Sequence, residues 1–402
     1  MTRSLIPYYT EAVLHFDLDD GRPQIEPEVP TAEEVRAFTE RTISIFDKSG
    51  ATTLVLFGLG SGAYALALEA ALPESARLVV CETDIELARR FLDANLRWLQ
   101  ENGRAHVIAD RSPWAHLYLL TLTGASPENT STALAPTSDA ETRDLMRALQ
   151  RQFLQVRYHL ALNSSYLSHV AVQAPDLSVG AILSPDEPEL DAFFAQFPDW
   201  VREVVVVWDA ETVPEREFAC PAPVRHLAHP LDDFSSQRNR MLDACEGEWV
   251  LYLDGDELFS EDTWSLFTAL LLIKRLSACY FPRMTLYPDE TRCKVGFGLW
   301  PDLQMRLFRN EPSIRFERPV HERLTGVEGR TALVLDAPIL HYSRLRKSPE
   351  KLAAKLQQFQ EASGRTVHRL NDEYPTLTRT RFPEASFVAG AIQVLLLEEN
   401  PG

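Results

Sequence analysis

Short, unbroken apolar runs recur along this chain, with amphipathic stretches between several of them, and most of the runs end on an acid. Thr53–Phe57, Leu78–Cys81, Val107–Ala109, Val179–Leu183, Val204–Trp208 and Trp249–Leu253 read as strands covered on both faces. Thr31-Ala32-Glu33-Glu34 is a capping box that predicts a helix to about Lys48. An Ala/Leu-rich helix should follow Gly62. Asp232 to Arg240 opens another helix with polar capping residues, Met241, Leu242 and Cys245 share one face of it, and Gly247 stops it. Arg238 and Asn239 are expected in its first turn. Glu141 to about Ser168 reads as one long helix, and Ser348-Pro349 starts a helix to about Gln360. Strands alternating with helices predict an α/β protein with two Rossmann-like domains and mostly parallel sheets. Residues 124–140, rich in Ser, Thr, Ala and Pro, read as a linker or exposed loop. The expected organisation is an N-terminal domain at 1–123, a linker and helical connector at 124–177, a second α/β domain at 178–345, and a helical segment at 346–402.

Composition narrows the function classes. At 402 residues the chain has room for about two to three domains. A net charge of −18 and a pI near 5.0 argue against a general nucleic-acid or anionic-membrane binder. The longest apolar run, near Leu266 to Ile273, is far short of the ~20 residues of a membrane span. The N-terminus has no charged-then-apolar secretion pattern. Cys81, Cys220, Cys245, Cys279 and Cys293 lack CxxC spacing and suit reduced core positions in a cytoplasmic protein.

Candidate chemistry concentrates at Asp254-Gly255-Asp256-Glu257, immediately after the apolar run Trp249–Leu253. Ligands of open α/β sheets bind outside the carboxyl ends of the strands. Carboxylates one residue apart at such an end can hold Mg²⁺ or Mn²⁺, whose shell is completed by substrate phosphates; the alternative is a solvated acidic turn. Val204–Trp208 runs into Asp209, and Val179–Leu183 into Ser184-Pro185-Asp186-Glu187, so three predicted strands carry acids to one edge.

The order of these segments resembles the family 2 glycosyltransferases of the GT-A fold, in the branch of lipopolysaccharide-core β-glucosyltransferases. That branch pairs an FxxxRN helix with a W-V-L-x-L-D-x-D-E strand, matched by Phe234–Asn239 and Trp249–Glu257. Trp300-Pro301-Asp302, Arg306–Arg309, Val320-His321-Glu322 and Leu340–Ser343 match its further motifs in order, and the resemblance covers about residues 178 to 360. Two segments depart from it. Ser184–Glu187 replaces an Asn-Glu pair, and Asp209-Ala210-Glu211 replaces an Asp-x-Gly-Ser-Thr-Asp turn that helps shape the nucleotide pocket. The resemblance implies inverting transfer of a sugar from a nucleoside diphosphate, with a UDP-sugar expected, to a cell-surface glycan, lipid-linked or protein acceptor. Asp209, Arg238, Asn239, Asp254 and Trp300 would then bind the nucleotide sugar, and Asp254, Asp256 and His341 the metal. Asp302 or Glu322 would take the acceptor's proton. Each has a plainer alternative: Asp302 as partner of Arg306, one helical turn away if that stretch is helical, Trp300 as core filler, His341 as a hydrogen-bonded structural His.

The first domain carries a second motif. Gly58-Leu59-Gly60-Ser61-Gly62 follows a strand and precedes a helix, and Glu82 stands about 20 residues on, the spacing of a Rossmann-type nucleotide site. It resembles both the start of an S-adenosylmethionine methyltransferase and the Rossmann-like domain of Maf-type flagellin glycosyltransferases, whose E-x-D strand end is matched by Glu82-Thr83-Asp84. Gly58, Gly60, Gly62 and Glu82 would line a second nucleotide site, or the domain keeps only the shape and serves structure or acceptor recognition. A methyltransferase and a non-catalytic glycan-binding scaffold are the competing functions.

Overall fold

The computed structural model describes residues 5–16, 26–162, 174–318, 323–346, 374–384 and 391–397. Glu322, His321 and the helix expected over 350–360 lie outside them. The chain divides into two compact units: 1–157 with 292–301 and 374–383, and the remainder.

In the first unit, β1 (Thr53–Phe57), β2 (Arg77–Glu82), β3 (Ala105–Ala109) and β4 (Thr130–Leu134) form a parallel sheet in the order β3-β2-β1-β4. The expected linker is therefore wrong at 130–134, where TSTAL pairs with β1 residue for residue. Its Thr and Ser side chains hide the strand from an apolar pattern, yet Thr is among the residues that fit a pleated, half-covered surface. The helices of this unit are α1 (Leu5–Leu14), α2 (Ala32–Ser49), α3 (Ala63–Ala71), α4 (Ile85–Ala94), α5 (Pro113–Leu122) and α6 (Ala140–Gln155). Thr31 caps α2 with the reciprocal Glu34 bond that the sequence signals. The helix beginning near Glu141 ends at Gln155, and Arg157–Leu162 is a strand. Residues 292–294 and 376–378 pair as a ribbon, so part of the expected C-terminal helical segment is extended.

The second unit is built on β5 (Leu177–Leu183), β6 (Glu203–Trp208), β7 (Val224–Ala228), β8 (Trp249–Tyr252), β9 (Glu257–Leu258), β10 (Leu276–Thr285), β11 (Leu303–Arg309), β12 (Arg330–Val334), β13 (Ile339–His341) and β14 (Ala391–Leu397). The path runs from the 157–162 strand through β14-β12-β10-β11-β8-β5-β6-β7. β8, β5, β6 and β7 are parallel. β11 enters antiparallel between β8 and β10, and the sheet beyond it is mixed. Helices α7 (Leu190–Ala195), α8 (Phe234–Ala244) and α9 (Glu261–Leu271) cover it. The apolar run near 266–273 lies mostly in α9, packed in the main core beside Phe259 and Phe281. Among the described residues no helix is long and apolar enough to cross a membrane.

Candidate functional site

Topology decides what meets at the sheet edge. β8 runs toward Asp254 and is paired antiparallel to β11, Leu251 opposite Leu307. The beginning of β11 therefore lies at the same edge as the end of β8. β10, antiparallel to β11 with Phe281 opposite Gln304, brings its own C-terminal end there. β13 adds His341, opposite Thr285 of β10 and Glu257 of β9. Arg306 is the extra residue of a bulge in β11, between Met305 opposite Tyr280 and Leu307 opposite Cys279, and so leaves the regular alternation of faces.

The result is a chain of alternating charges. Arg306 Nη2 donates to Asp254 Oδ2 at 2.7 Å and to Glu257 Oε1 at 2.6 Å. Arg283 Nη1 donates to the same Glu257 oxygen at 3.2 Å, while its Nε and Nη2 reach Asp302 Oδ2 at 2.8 and 2.7 Å. Arg238 Nη2 approaches Asp254 Oδ1 at 3.6 Å, and Tyr252 donates its hydroxyl to that oxygen. The Arg238 and Arg306 guanidiniums stand 4.4 and 4.5 Å from the centroid of the Tyr252 ring. Glu257 is completely buried. Burial alone would raise the Asp254 carboxyl, but Arg306 and then Arg238 outweigh it and hold it well below the usual range. Burial pushes Glu257 up against the pull of Arg306, and Asp254 adds to the rise. Arg306 itself is held far above its ordinary value: burial opposes its charge, and Glu257 and Asp254 more than compensate.

Asp256, 5% exposed, sits beside His341, whose Nε2 is 3.6 Å from Asp256 Oδ1. Thr285 Oγ1 lies 3.0 Å from His341 Nδ1. Burial, then Arg283, lowers His341 to about 4, so the ring is neutral at neutral pH. Gly255 sits close to its neighbours, since a Cβ there would lie 2.9 Å from Leu183 Cδ2 and 3.1 Å from Glu187 Cγ.

Several expectations change. Asp302 and Arg306 are not partners one helical turn apart, because that stretch is strand β11 and their charges are met by Arg283 and by Asp254 with Glu257. Trp300 belongs to the first unit, 1% exposed against Tyr9, Tyr118 and Phe382, which leaves no ring face for a sugar. Asn239 spends both ends of its amide on the Phe316 backbone at 2.9 Å each, fastening the 315–317 strand to α8. Arg238 and Asn239 lie in the second turn of α8, not the first. Asp233 caps that helix, accepting from the Ser236 backbone N–H and from the Ser235 and Ser236 hydroxyls. Asp209 Oδ1 accepts from Leu231 N at 2.8 Å and shapes the turn after β7. Glu257, Arg283, Arg306 and Tyr252 join the site without having been assigned a role from sequence. Glu257 carried a signal as the fourth residue of the acidic run and Arg306 as the first residue of a matched motif.

Asp254 is a poor metal ligand in this arrangement, since both its oxygens are engaged by arginine or tyrosine. Among the described residues no group of three or more His, Cys, Asp and Glu is placed to hold an ion. The two remaining metal candidates, Asp256 and His341, stand 3.6 Å apart.

In the first unit Gly58, Gly60 and Gly62 all have positive φ (91°, 56° and 82°), as the tight turn requires. Glu82 does not face outward to a ribose. Its Oε2 accepts from Leu59 N at 2.7 Å and its Oε1 from Asp84 N at 2.8 Å, so it braces the glycine turn from beneath.

No family model matches the chain. Over 141 residues, 34% of its length, it is 39% identical to a TPR repeat-containing protein of Synechococcus elongatus, of which it spans 32%. Structural likeness is found to Staphylococcus aureus TarS. Residues 1–349 of TarS alone give 16% identity and a TM-score of 0.28, with 46% of this chain and 64% of the other covered. The same fragment in complex with UDP-GlcNAc gives 0.31 with the same coverage. At these TM-scores the likeness carries no argument about the site.

Proposed function

We propose that the second unit is an inverting glycosyltransferase, moving a sugar from a nucleoside-diphosphate donor, with a UDP-sugar the leading choice, to an acceptor hydroxyl. The observation that carries this reading is the meeting of Asp254, Asp256, Asp302, Arg238, Arg306 and His341 at the C-terminal edge of parallel strands. Open α/β sheets bind ligands at that edge, and the Arg238 guanidinium there can pair with a diphosphate oxygen. The order of the glycosyltransferase-like segments along the chain supports the same reading.

Asp254, held ionised by two arginines, presents a fixed acceptor to the ribose hydroxyls. Arg238 neutralises charge on the departing diphosphate. Asp256 and neutral His341 would hold a Mn²⁺ or Mg²⁺ ion, with the diphosphate completing its shell; when bound, that ion stabilises the leaving group's charge. The acceptor oxygen forms its bond to the anomeric carbon on the face opposite the phosphate, that carbon's bond to the β-phosphate oxygen breaks, and Asp302 takes the hydroxyl proton. The acceptor class we propose is a cell-surface glycan, a lipid-linked sugar or a protein, reached in the cytoplasm with peripheral membrane association where the acceptor is lipid-linked. The first unit, with Glu82 committed to its own glycine turn, is assigned structure or acceptor recognition in place of methyl transfer.

The test is a thermal-shift panel of UDP, GDP, their glucose, N-acetylglucosamine and mannose esters, and S-adenosylmethionine, each with and without Mn²⁺. A ligand at a hundredfold excess over Kd stabilises by ~2.7 kcal/mol. Mn²⁺-dependent stabilisation by one nucleotide family is expected. Stabilisation by S-adenosylmethionine alone would overturn the reading.

A further inference from the structure

The two oxygens of Asp302 have unlike partners. Oδ2 accepts two charge-assisted bonds from one guanidinium, Arg283 Nε at 2.8 Å and Nη2 at 2.7 Å. Among the described residues, Oδ1 accepts only from the neutral amide of Gln304, at 2.9 Å. Asp302 also has φ of +40°, a backbone conformation that L side chains rarely adopt. Strained positions of this kind persist only where surrounding contacts over-determine them, and they cluster at functional sites. The contacts that do so here are the side-chain pair of bonds to Oδ2, the Gln304 bond to Oδ1, and the backbone bond from Arg283 N to Asp302 O at 3.4 Å. Arg283 is anchored in turn by fully buried Glu257, at 3.2 Å.

Resting on the reading of Asp302 as the base, we infer that Arg283 is its positioning residue and that Oδ1 is the oxygen that receives the acceptor's proton. Charge-assisted bonds are roughly twice as strong as neutral ones, so Oδ2 is the less basic and the more firmly held oxygen. Oδ1, restrained by one amide, keeps a lone pair for an incoming hydroxyl. The planar fork of arginine is what allows one side chain to grip Asp302 with Nε and Nη2 while Nη1 holds Glu257; a lysine ammonium supplies the charge without the fork. The carboxylate is thereby fixed in the orientation that the attack requires, and small misplacements of a reacting group are costly.

Arg283→Lys separates this role from a purely structural one, because it keeps the charge opposite Glu257 and loses the fork. Release of UDP or GDP from UDP-glucose, UDP-N-acetylglucosamine and GDP-mannose, with water as acceptor, is measured for wild type, Arg283→Lys, Arg283→Gln and Gln304→Leu, together with melting temperature. Wild-type turnover of one donor is the control for the underlying reading, and its absence overturns both that reading and this inference. With wild type active, Arg283→Lys should melt near wild type, keep donor KM within about twofold, and lose about tenfold or more in kcat. Arg283→Gln should lose more. Gln304→Leu, which removes only the weaker donor, should cost less than Arg283→Lys. Normal kcat in a folded Arg283→Lys enzyme overturns the positioning role. A larger loss in Gln304→Leu than in Arg283→Lys overturns the choice of oxygen.

Discussion

Arg306 Nη2 lies 2.7 Å from Asp254 Oδ2, so the carboxylate that heads the acidic run already has a fixed cationic partner. The same nitrogen also serves Glu257, and Arg306 is only 6% exposed. Removing one member of a buried ion pair leaves an uncompensated charge, at a cost of about 3–5 kcal/mol. Arg306→Gln should therefore lower stability by about that much, read from denaturant unfolding. An unfolding midpoint equal to wild type would contradict the paired arrangement.

Asp256 Oδ1 lies 3.6 Å from His341 Nε2. Asp256→Ala and Asp256→Asn should each abolish metal-dependent turnover, because a neutral side chain cannot match the ion's charge. A chelator should inhibit wild type, and added Mn²⁺ should restore it. Turnover insensitive to chelator would contradict the metal assignment.

The glycine turn of the first unit yields a ranking. A Cβ on Gly60 meets nothing within 4 Å, whereas one on Gly62 would lie 2.4 Å from the Phe91 ring. Both positions have positive φ, so Gly60→Ala should cost only the backbone strain of about 1–2 kcal/mol. Gly62→Ala adds overpacking of about 1–3 kcal/mol. Urea unfolding of the two variants should show Gly62→Ala clearly the weaker, and equal losses would contradict the packing.

Two acids of the same unit make its stability pH-dependent. Burial pushes Glu82 and Asp110 each up to about 7. A raised folded-state value means that the native chain binds more protons than the unfolded chain between about pH 4 and pH 7. Their contribution is full below about pH 4 and is lost as pH rises through about 7. Melting temperature between about pH 5 and pH 8 should fall for this reason, and Asp110→Asn should flatten part of the fall. An identical slope in the variant would contradict the assignment.

The sequence marks the strand ends well. Thr53–Phe57 is β1 residue for residue, and the acids after β6 and β8 stand where the apolar runs stop. What the pattern could not convey is pairing between distant strands. Arg283 looks like an ordinary surface cation in sequence and Arg306 appears there only within a motif, and the antiparallel insertion of β11 beside β8 and β10 is what places them against Asp302, Asp254 and Glu257. Trp300 adjoins Asp302 in sequence, yet it belongs to the other unit, which a motif read along the chain has no means of separating. The strand at 130–134 is hidden for a different reason, the hydroxyl side chains of Thr130, Ser131 and Thr132.

The central claim, sugar transfer with inversion from a nucleotide donor, is tested most directly by proton NMR of donor turnover. UDP-glucose, UDP-N-acetylglucosamine and GDP-mannose are each incubated with the protein and Mg²⁺, with water as acceptor, and the anomeric signals are followed. The account predicts that the donor signal of one of them decays, that the first sugar to appear has the opposite anomeric configuration, and that Asp302→Asn slows this by roughly 10²- to 10⁴-fold. Persistence of all three donors with wild type, or first release of a sugar with retained configuration, would contradict it.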